Sequence, residues 1–395
     1  MTLHRARRFA AALSASLLLV AAPLAHGLAL APANGPASGL APHDAARARA
    51  TPDTTAAGFW SDFAASRKYS LKALRNGDLL VLLPQEKSKP ERALERIEQA
   101  LARFDAILPA APPTSPPTTA QKASAASSEL WGTSDRPLES GTMVMALFRK
   151  PADFAEALTL LGEAFPYMAA WTTSAKGQPG CILERPLFGA CVDNVPGMQE
   201  WNPDNELVHR VAQLALIRRF GRQPVWVGLG VGWNVEFDVL KNIYCFPWRD
   251  SFVWATEHGG WENDLRRAWK KRGSEAVPMA ELAAIKRGGF AVEDAALCWG
   301  FVRFLVRHHG ERLPALLREF DAQRAVLGRV PTGDGKNWTM AADYELSAEE
   351  QQKAVVQLVA PDALQQAADW FRLGASWKKP AAAKATAKAE PKSNR

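Results

Sequence analysis

The pattern of apolar positions predicts alternating strands and helices in the first part of the folded chain. Residues 78–84 and 142–148 are short, nearly continuous apolar runs, which is typical of strands that are buried on both faces. Apolar side chains recur at helical spacing in residues 90–108, and residues 151–165 form a second helical segment with a proline in its first turn. Two short apolar segments within residues 180–192 indicate an antiparallel hairpin.

From residue 207 onward the apolar pattern is mainly helical. The spacing predicts helices over residues 207–220, 277–285, 292–309, 312–320 and 347–371. The predicted fold class is therefore α+β, with a small N-terminal α/β layer followed by a mainly helical domain.

The two ends of the chain differ in composition from its centre. Residues 1–27 combine a basic start, a short apolar run and small-residue cleavage sites, which predicts a signal peptide and export to the periplasm or the extracellular space. An uncleaved N-terminal anchor is the alternative. Residues 28–58 are rich in Ala, Pro and Gly and predict a disordered lead-in, and residues 376–395 predict a disordered basic tail.

The folded part is predicted to have two portions. Residues 59–204 form the N-terminal α/β portion, interrupted by a linker rich in Pro, Ser and Thr at residues 110–128. Residues 205–375 form the helical portion. No later run of eighteen apolar residues follows the signal region, so we expect no stable membrane span after signal cleavage. The sequence leaves the oligomeric state open.

The net charge of +7 does not indicate a nucleic-acid partner. The basic residues are concentrated at the two ends, with His4, Arg5, Arg7 and Arg8 in the signal region and a lysine-rich tail. The remaining chain is close to balanced, so we expect no nucleic-acid binding.

Four cysteines, Cys181, Cys191, Cys245 and Cys298, allow two disulfides in an oxidising compartment. Cys181 and Cys191 are the easiest pair to bring together, because they flank the predicted hairpin. Cys298 lies in an apolar helical pattern and is equally well explained as a buried thiol. The three possible connectivities stay open.

Residues 205–209 read Asn-Glu-Leu-Val-His and differ at one position from the H-E-x-x-H zinc helix of metallopeptidases. In that motif, two histidines four residues apart hold zinc on one helix face, and the glutamate activates the bound water. Glu206 and His209 are present here, whereas the first ligand is replaced by Asn205. An amide is a poor zinc ligand beside imidazole or thiolate.

Two later segments extend the similarity. Residues 221–233 resemble the P-x-W-L-x-E-G-L-A-E segment of gluzincin metallopeptidases, with Pro224, Trp226 and Gly230 in matching positions. Residues 297–313 look like the S-W-x-x-V-x-F-L-x-x-x-x-G helix of the same proteins. Together, over about residues 78–320, the chain resembles the peptidase MA-like group of gluzincins.

The resemblance implies a zincin-like helical domain with lost ligands. The third zinc ligand of the family aligns with Leu229, its second glutamate with Trp233, and its tyrosine with Ala295. We therefore expect a catalytically inactive metallopeptidase homologue, with Glu206 as a vestigial general base and His209 as a vestigial metal ligand.

If the protein keeps the substrate cleft of the peptidases, that cleft can serve as a binding groove. Asn205, Trp226 and Trp233 would line it, and a peptide or a cell-wall component is the expected type of partner, although packing is the simpler explanation for the tryptophans. His209 is equally well explained as a hydrogen-bonded core histidine. We expect no cofactor.

The alternative function is an active zinc metalloprotease with a rearranged metal site. Glu236, Asp238, Glu257 and His258 are the residues near enough in sequence to supply substitute ligands, although none has a recognisable ligand spacing. A third interpretation, a chance motif in an unrelated envelope protein, would be preferred if the Asn205 and Trp226 segments did not pack together.

Overall fold

The structure is a computed structural model in which the described part of the chain belongs to one compact unit, Ala50–Arg395. The described residues are 52–85, 90–109, 142–166, 169–183, 187–197, 201–244, 260–285, 291–327, 329–331, 338–340 and 345–380. The predicted signal peptide, the Pro/Ser/Thr linker, Cys245, Glu257, His258 and the last fifteen residues lie outside them.

A five-stranded mixed sheet forms the N-terminal side of the described structure. Its strands are β1 (Tyr69–Leu74), β2 (Leu79–Pro84), β3 (Met143–Phe148), β4 (Gly180–Leu183) and β5 (Phe188–Val192). In space the order is β1-β2-β3-β5-β4, with parallel pairing of β2 to β3 and of β3 to β5 and antiparallel pairing at both edges. The predicted strands over residues 78–84 and 142–148 and the predicted hairpin are confirmed.

Helices account for most of the remaining described residues. They are α1 (Pro52–Ser66), α2 (Pro90–Ile107), α3 (Pro151–Ala164), α4 (Ala169–Ala175), α5 (Pro203–Phe220), α6 (Val225–Leu240), α7 (Trp261–Arg272), α8 (Met279–Ala284), α9 (Val292–His309), α10 (Leu313–Leu327), α11 (Ala348–Leu358) and α12 (Ala363–Leu373). A short antiparallel pair, β6 (Arg329–Pro331) and β7 (Trp338–Met340), follows α10. The predicted α+β class, with a sheet layer before a mainly helical part, is confirmed.

The helix pattern departs from the sequence prediction at several places, among them the start of α1 and the last predicted helix. Helix α1 begins at Pro52, within the segment for which composition predicts disorder. The single helical pattern predicted for residues 347–371 is divided into α11 and α12 by a break around Pro361. None of the helices in the described part of the chain is long and apolar enough to span a membrane.

Strands β2, β3, β4 and β5 are buried on both faces, which explains their nearly continuous apolar sequences, whereas the edge strand β1 is partly exposed. One face contributes side chains such as Val81 and Met145 to a core shared with α2, α5 and α6. The other face contributes Leu82 and Phe148 to a second core, closed by the aromatic residues of α1 and by α3. This second core includes Trp60, which stacks on Phe188 with ring centroids 4.6 Å apart.

The strand register separates the two cysteines that the sequence suggests as the easiest disulfide pair. Cys181 lies opposite Ala190, and Cys191 lies opposite Gly180, so the two cysteines are offset by one residue. Successive strand residues point to opposite faces, which places Cys181 in one core and Cys191 in the other. The suggested bridge between them is therefore wrong, and burial raises the pKa of the Cys181 thiol to about 12.

Two glycines of α6 allow its neighbours to approach closely. A methyl group at Gly230 would lie 2.5 Å from Val302 Cγ2 and 2.7 Å from the Cys298 carbonyl oxygen, both in α9. At Gly232 it would lie 2.6 Å from the His209 ring in α5. Gly228, earlier in the same helix, has open space at this position. The spacing of Gly230 and Gly232 thus brings α6 against two different helices.

The Gly230 contact predicts opposite effects for two alanine substitutions in one helix. Gly230→Ala should lower the free energy of unfolding by about 1–3 kcal/mol, because the added methyl group overpacks the α6–α9 contact. Gly228→Ala is the matched control and should raise it by up to about 1 kcal/mol, because alanine favours helix and meets no neighbour. Chemical denaturation of both variants measures the two effects. Equal stability of the two variants would contradict the close approach at Gly230.

Candidate functional site

The Asn205–His209 segment forms the first turns of α5. Asn202 caps the helix by accepting hydrogen bonds from the backbone N–H groups of Asp204 and Asn205, and a proline occupies the first helical position. Residues four apart share one helix face, so Asn205 and His209 point in the same direction. A short connection, residues 221–224, leads into α6, which packs along α5. The Asn205 and Trp226 segments therefore do belong to two helices that pack together.

Glu236 of α6 lies opposite Asn205 and His209 and joins them. Its Oε1 accepts hydrogen bonds from the Asn205 side-chain amide at 2.7 Å and from the Tyr244 backbone N–H at 2.5 Å. Its Oε2 lies 3.1 Å from His209 Nδ1. The Asn205 amide also donates to Asn242 Oδ1 at 2.9 Å. We call Asn205, His209, Glu236 and Asn242 the polar cluster.

Three members of the polar cluster are buried, whereas Asn242 at its edge is exposed. Asn205 is 1% exposed, and His209 and Glu236 are 0% exposed. Burial, together with the positive charge of Arg210, lowers the pKa of His209 well below its usual value. A neutral imidazole carries one N–H, and an ionised carboxylate can only accept, so the contact with Glu236 Oε2 assigns that proton to Nδ1.

Two acceptor atoms in the polar cluster have no hydrogen-bond donor among the described residues. They are Asn205 Oδ1 and His209 Nε2, and both are buried. A buried acceptor without a donor costs about 1–3 kcal/mol, and such atoms are rare in folded proteins. Each of the two atoms therefore keeps a lone pair that a further partner can use.

Glu206, the predicted vestigial base, faces away from the polar cluster. Its Oε2 accepts a hydrogen bond from Arg210 Nε at 3.3 Å, and the two side chains form an almost completely buried ion pair. Glu206 also packs against β4, where a methyl group at Gly180 would lie 3.3 Å from its Oε2. The retained glutamate thus neutralises Arg210 beneath the sheet.

The side chains of the polar cluster do not fit a zinc ion as they stand. Catalytic zinc needs three protein ligands and an open position for water. His209 offers one nitrogen, Asn205 is an amide, and the oxygens of Glu236 already accept from three donors. Nowhere in the described ranges do three His, Cys, Asp or Glu side chains form a group that could hold a metal ion.

The two tryptophans predicted to line a cleft are buried at different places. Trp233 is 0% exposed and contacts the His209 ring edge-on, with centroids 5.8 Å apart. Trp226 is 1% exposed, donates to Gln351 at 2.7 Å and packs on Phe301. The structure brings Asn205, His209 and Trp233 together and places Trp226 apart. A cleft role for these residues stays a prediction that requires α5 and α6 to separate.

Residue-by-residue transfer of the family pattern missed Glu236. The pattern aligns the third zinc ligand with Leu229, whereas the carboxylate that faces Asn205 and His209 stands seven residues later, two helical turns along α6. The signal that could have found it is the pair Gly232 and Glu236, four residues apart on one face. A small residue and a carboxylate on the same face indicate a helix that approaches a partner closely.

The other proposed substitute ligands do not join the polar cluster where they are described. Asp238 forms ion pairs with Arg103 at 2.5 Å and with Arg303 at 3.1 Å. Glu257 and His258 lie outside the described residues. Glu236 is thus the one of these four candidates that the structure places beside His209.

Comparison with protein-family models finds no matching family, and comparison with curated proteins finds no significant match. The resemblance to the peptidase MA-like group therefore stays a hypothesis that rests on the motif segments.

The buried neutral state of His209 predicts a pH-dependent stability. An unfolded histidine has a pKa of about 6.5, so below this pH the unfolded chain takes up a proton that folded His209 does not. As the pH is lowered below about 6.5, the free energy of unfolding should then fall by about 1.4 kcal/mol for each pH unit. In His209→Gln this contribution should be absent.

Denaturant titrations from about pH 7.5 to about pH 5.5 measure this slope for the wild type and the variant. His308→Gln is the control, because it replaces a half-buried histidine outside the polar cluster and should keep most of the slope. A wild-type slope in His209→Gln would show that His209 is not held neutral.

Proposed function

We propose that this protein is an exported, catalytically inactive homologue of peptidase MA-like metallopeptidases, with a binding or structural role in the cell envelope. The observation that carries the proposal is the bridge from Glu236 to Asn205 and His209. In this bridge, a hydrogen-bonded carboxylate connects the two helices that hold zinc ligands in gluzincins.

The composition of the polar cluster supports an inherited site. His209 and Glu236 are ligand-type side chains that face each other across two packed helices, as a zinc-binding pair does. The substitution at Asn205 leaves an amide that donates to Glu236 instead of a second imidazole. One changed residue therefore converts a ligand set into a closed hydrogen-bonded set.

The two buried acceptors without donors also support the descent of the polar cluster from a zinc site. In natural proteins, buried polar atoms that lack a hydrogen-bond partner are concentrated at functional sites. His209 Nε2 keeps a lone pair that no described donor uses, which is the state that a metal-binding imidazole requires.

The burial of Asn205, His209 and Glu236 supports inactivity. A peptidase must admit a substrate and a water molecule to its zinc ion. Here Glu206 is committed to Arg210, and Asn205, His209 and Glu236 are at most 1% exposed. Zinc hydrolysis with a rearranged site remains the alternative outcome of the test below.

Export and an envelope role rest on the N-terminal sequence pattern. A peptide or a cell-wall component is the proposed type of partner, and no nucleic-acid partner is proposed.

Metal analysis of five purified proteins, the wild type, His209→Ala and three variants that carry Asn205→His, tests the proposal. The wild type should contain no stoichiometric zinc after incubation with zinc and removal of the excess. Asn205→His should bind about one equivalent, because it adds a second imidazole and releases Glu236 Oε1 from the amide. The double variants Asn205→His/His209→Ala and Asn205→His/Glu236→Gln should lose this zinc.

Either of two results would overturn the proposal. Stoichiometric zinc in the wild type that disappears in His209→Ala would establish the rearranged metal site. Failure of folded Asn205→His to bind zinc would show that the two helices do not present an inherited ligand geometry. Circular dichroism of each variant provides the folding control.

A further inference from the structure

A second polar site lies in the helical part and shares no residue with the polar cluster. A cavity of about 140 Å³ opens between α7, α9, α12 and the turn that follows α12. Its lining includes Glu262, Arg266, Trp299, Arg307, Trp370 and Phe371. Aromatic rings thus form the walls, and two guanidinium groups lie among them.

Two buried hydrogen-bond donors of the lining side chains have no acceptor within the described structure. They are the indole N–H of Trp299, whose side chain is 2% exposed, and Nε of Arg266. Arg266 makes its observed side-chain hydrogen bond through a terminal nitrogen to the Asn263 amide oxygen, at 3.3 Å. Both nitrogens have almost no accessible surface, so a bound group that carries acceptor atoms satisfies them only when the side chains turn toward the cavity.

The charges around the cavity favour an anion. Arg266 and Arg307 contribute two positive charges, and Glu262 contributes one negative charge. The contact between Arg307 and Glu262 is long, at 3.9 Å, and both side chains are about half exposed. Burial and the positive charge of nearby Arg303 lower the pKa of Arg307, so a negative charge placed here would stabilise it.

We propose that this cavity binds a small organic carboxylate with an aromatic or branched apolar body. The carboxylate accepts from Arg266, Arg307 and the Trp299 indole, and the body packs against Trp370 and Phe371. Guanidinium groups suit carboxylates because their planar donors match both oxygens. The neighbouring rings supply the apolar contact that a charged fragment alone lacks.

The size of the cavity sets the size of the ligand. A cavity of about 150 Å³ accommodates benzene. A single ring or a branched aliphatic group therefore fills the volume, with the carboxylate at the arginine side. The site is separate from the polar cluster, so its test is independent of the zinc measurement.

Calorimetric titration with phenylacetate tests the proposal. We expect saturable binding with a dissociation constant on the order of 1 mM, and binding of the neutral isostere phenylacetamide at least about tenfold weaker. Arg307→Gln and Arg266→Gln should each weaken phenylacetate binding by about tenfold, the value of one charge-assisted hydrogen bond. Trp299→Phe keeps an aromatic wall and removes the N–H donor, so it should weaken binding by a smaller factor.

Arg267→Gln is the matched control. Arg267 neighbours Arg266 in α7, but its side chain is 77% exposed and pairs with Asp264 away from the cavity lining. This variant should bind phenylacetate like the wild type. Equal binding of phenylacetate and phenylacetamide, wild-type affinity in both Arg266→Gln and Arg307→Gln, or no saturable binding would each overturn the proposal.

A parallel titration with the tripeptide Gly-Gly-Phe distinguishes a free acid from a peptide terminus. It carries the same ring and carboxylate on a longer chain, and we expect weaker binding than for phenylacetate. Equal or tighter binding of the tripeptide would assign the cavity to peptide C-termini and overturn the small-molecule assignment.

Discussion

The arrangement of the helical part depends on one buried carboxylate. Glu236 accepts hydrogen bonds from Asn205, from the Tyr244 backbone and from His209, and so ties α6 to the start of α5 and to the segment that follows α6. A carboxylate is costly to bury unless donors surround it. Removing its charge or its donors should therefore destabilise the pairing of the helices as well as the polar cluster.

The close approach of α6 to its neighbouring helices is the second constraint. It makes the contacts from Glu236 to Asn205 and His209 possible. Gly232 allows the His209 ring to lie directly on α6, and Gly230 allows α9 to approach from the other side. Larger residues there would push the helices apart and lengthen the contacts to Glu236. The glycines that punctuate residues 228–232 therefore belong to a packed helix, where they set the distances between three helices.

The sequence predicts the parts of the fold that have strong periodicity. Buried strands β2 and β3 and the amphipathic helix α2 follow directly from their apolar patterns. Strand β1 is not predicted, because it contains Lys72 and tertiary contacts decide its structure. Helix α7 is also missed, although Trp261, Leu265 and Trp269 recur at helical spacing.

The candidate site was predictable only within one helix. Helical spacing places Asn205 and His209 on one face, but the rotation of α6 against α5 decides which carboxylate meets them. That rotation depends on the packing at Gly230 and Gly232, which motif alignment does not encode. The same limit applies to Cys181 and Cys191, whose separation follows from a one-residue offset in the strand register.

The protonation state of His209 tests the central claim most directly. Nitrogen-detected NMR of the imidazole should show a proton on Nδ1 and none on Nε2 from about pH 5 to about pH 8. The signal should not change when zinc or a chelator is added. A ring that titrates in this range, or whose Nε2 signal shifts with zinc, would contradict a closed, metal-free bridge between Glu236 and His209.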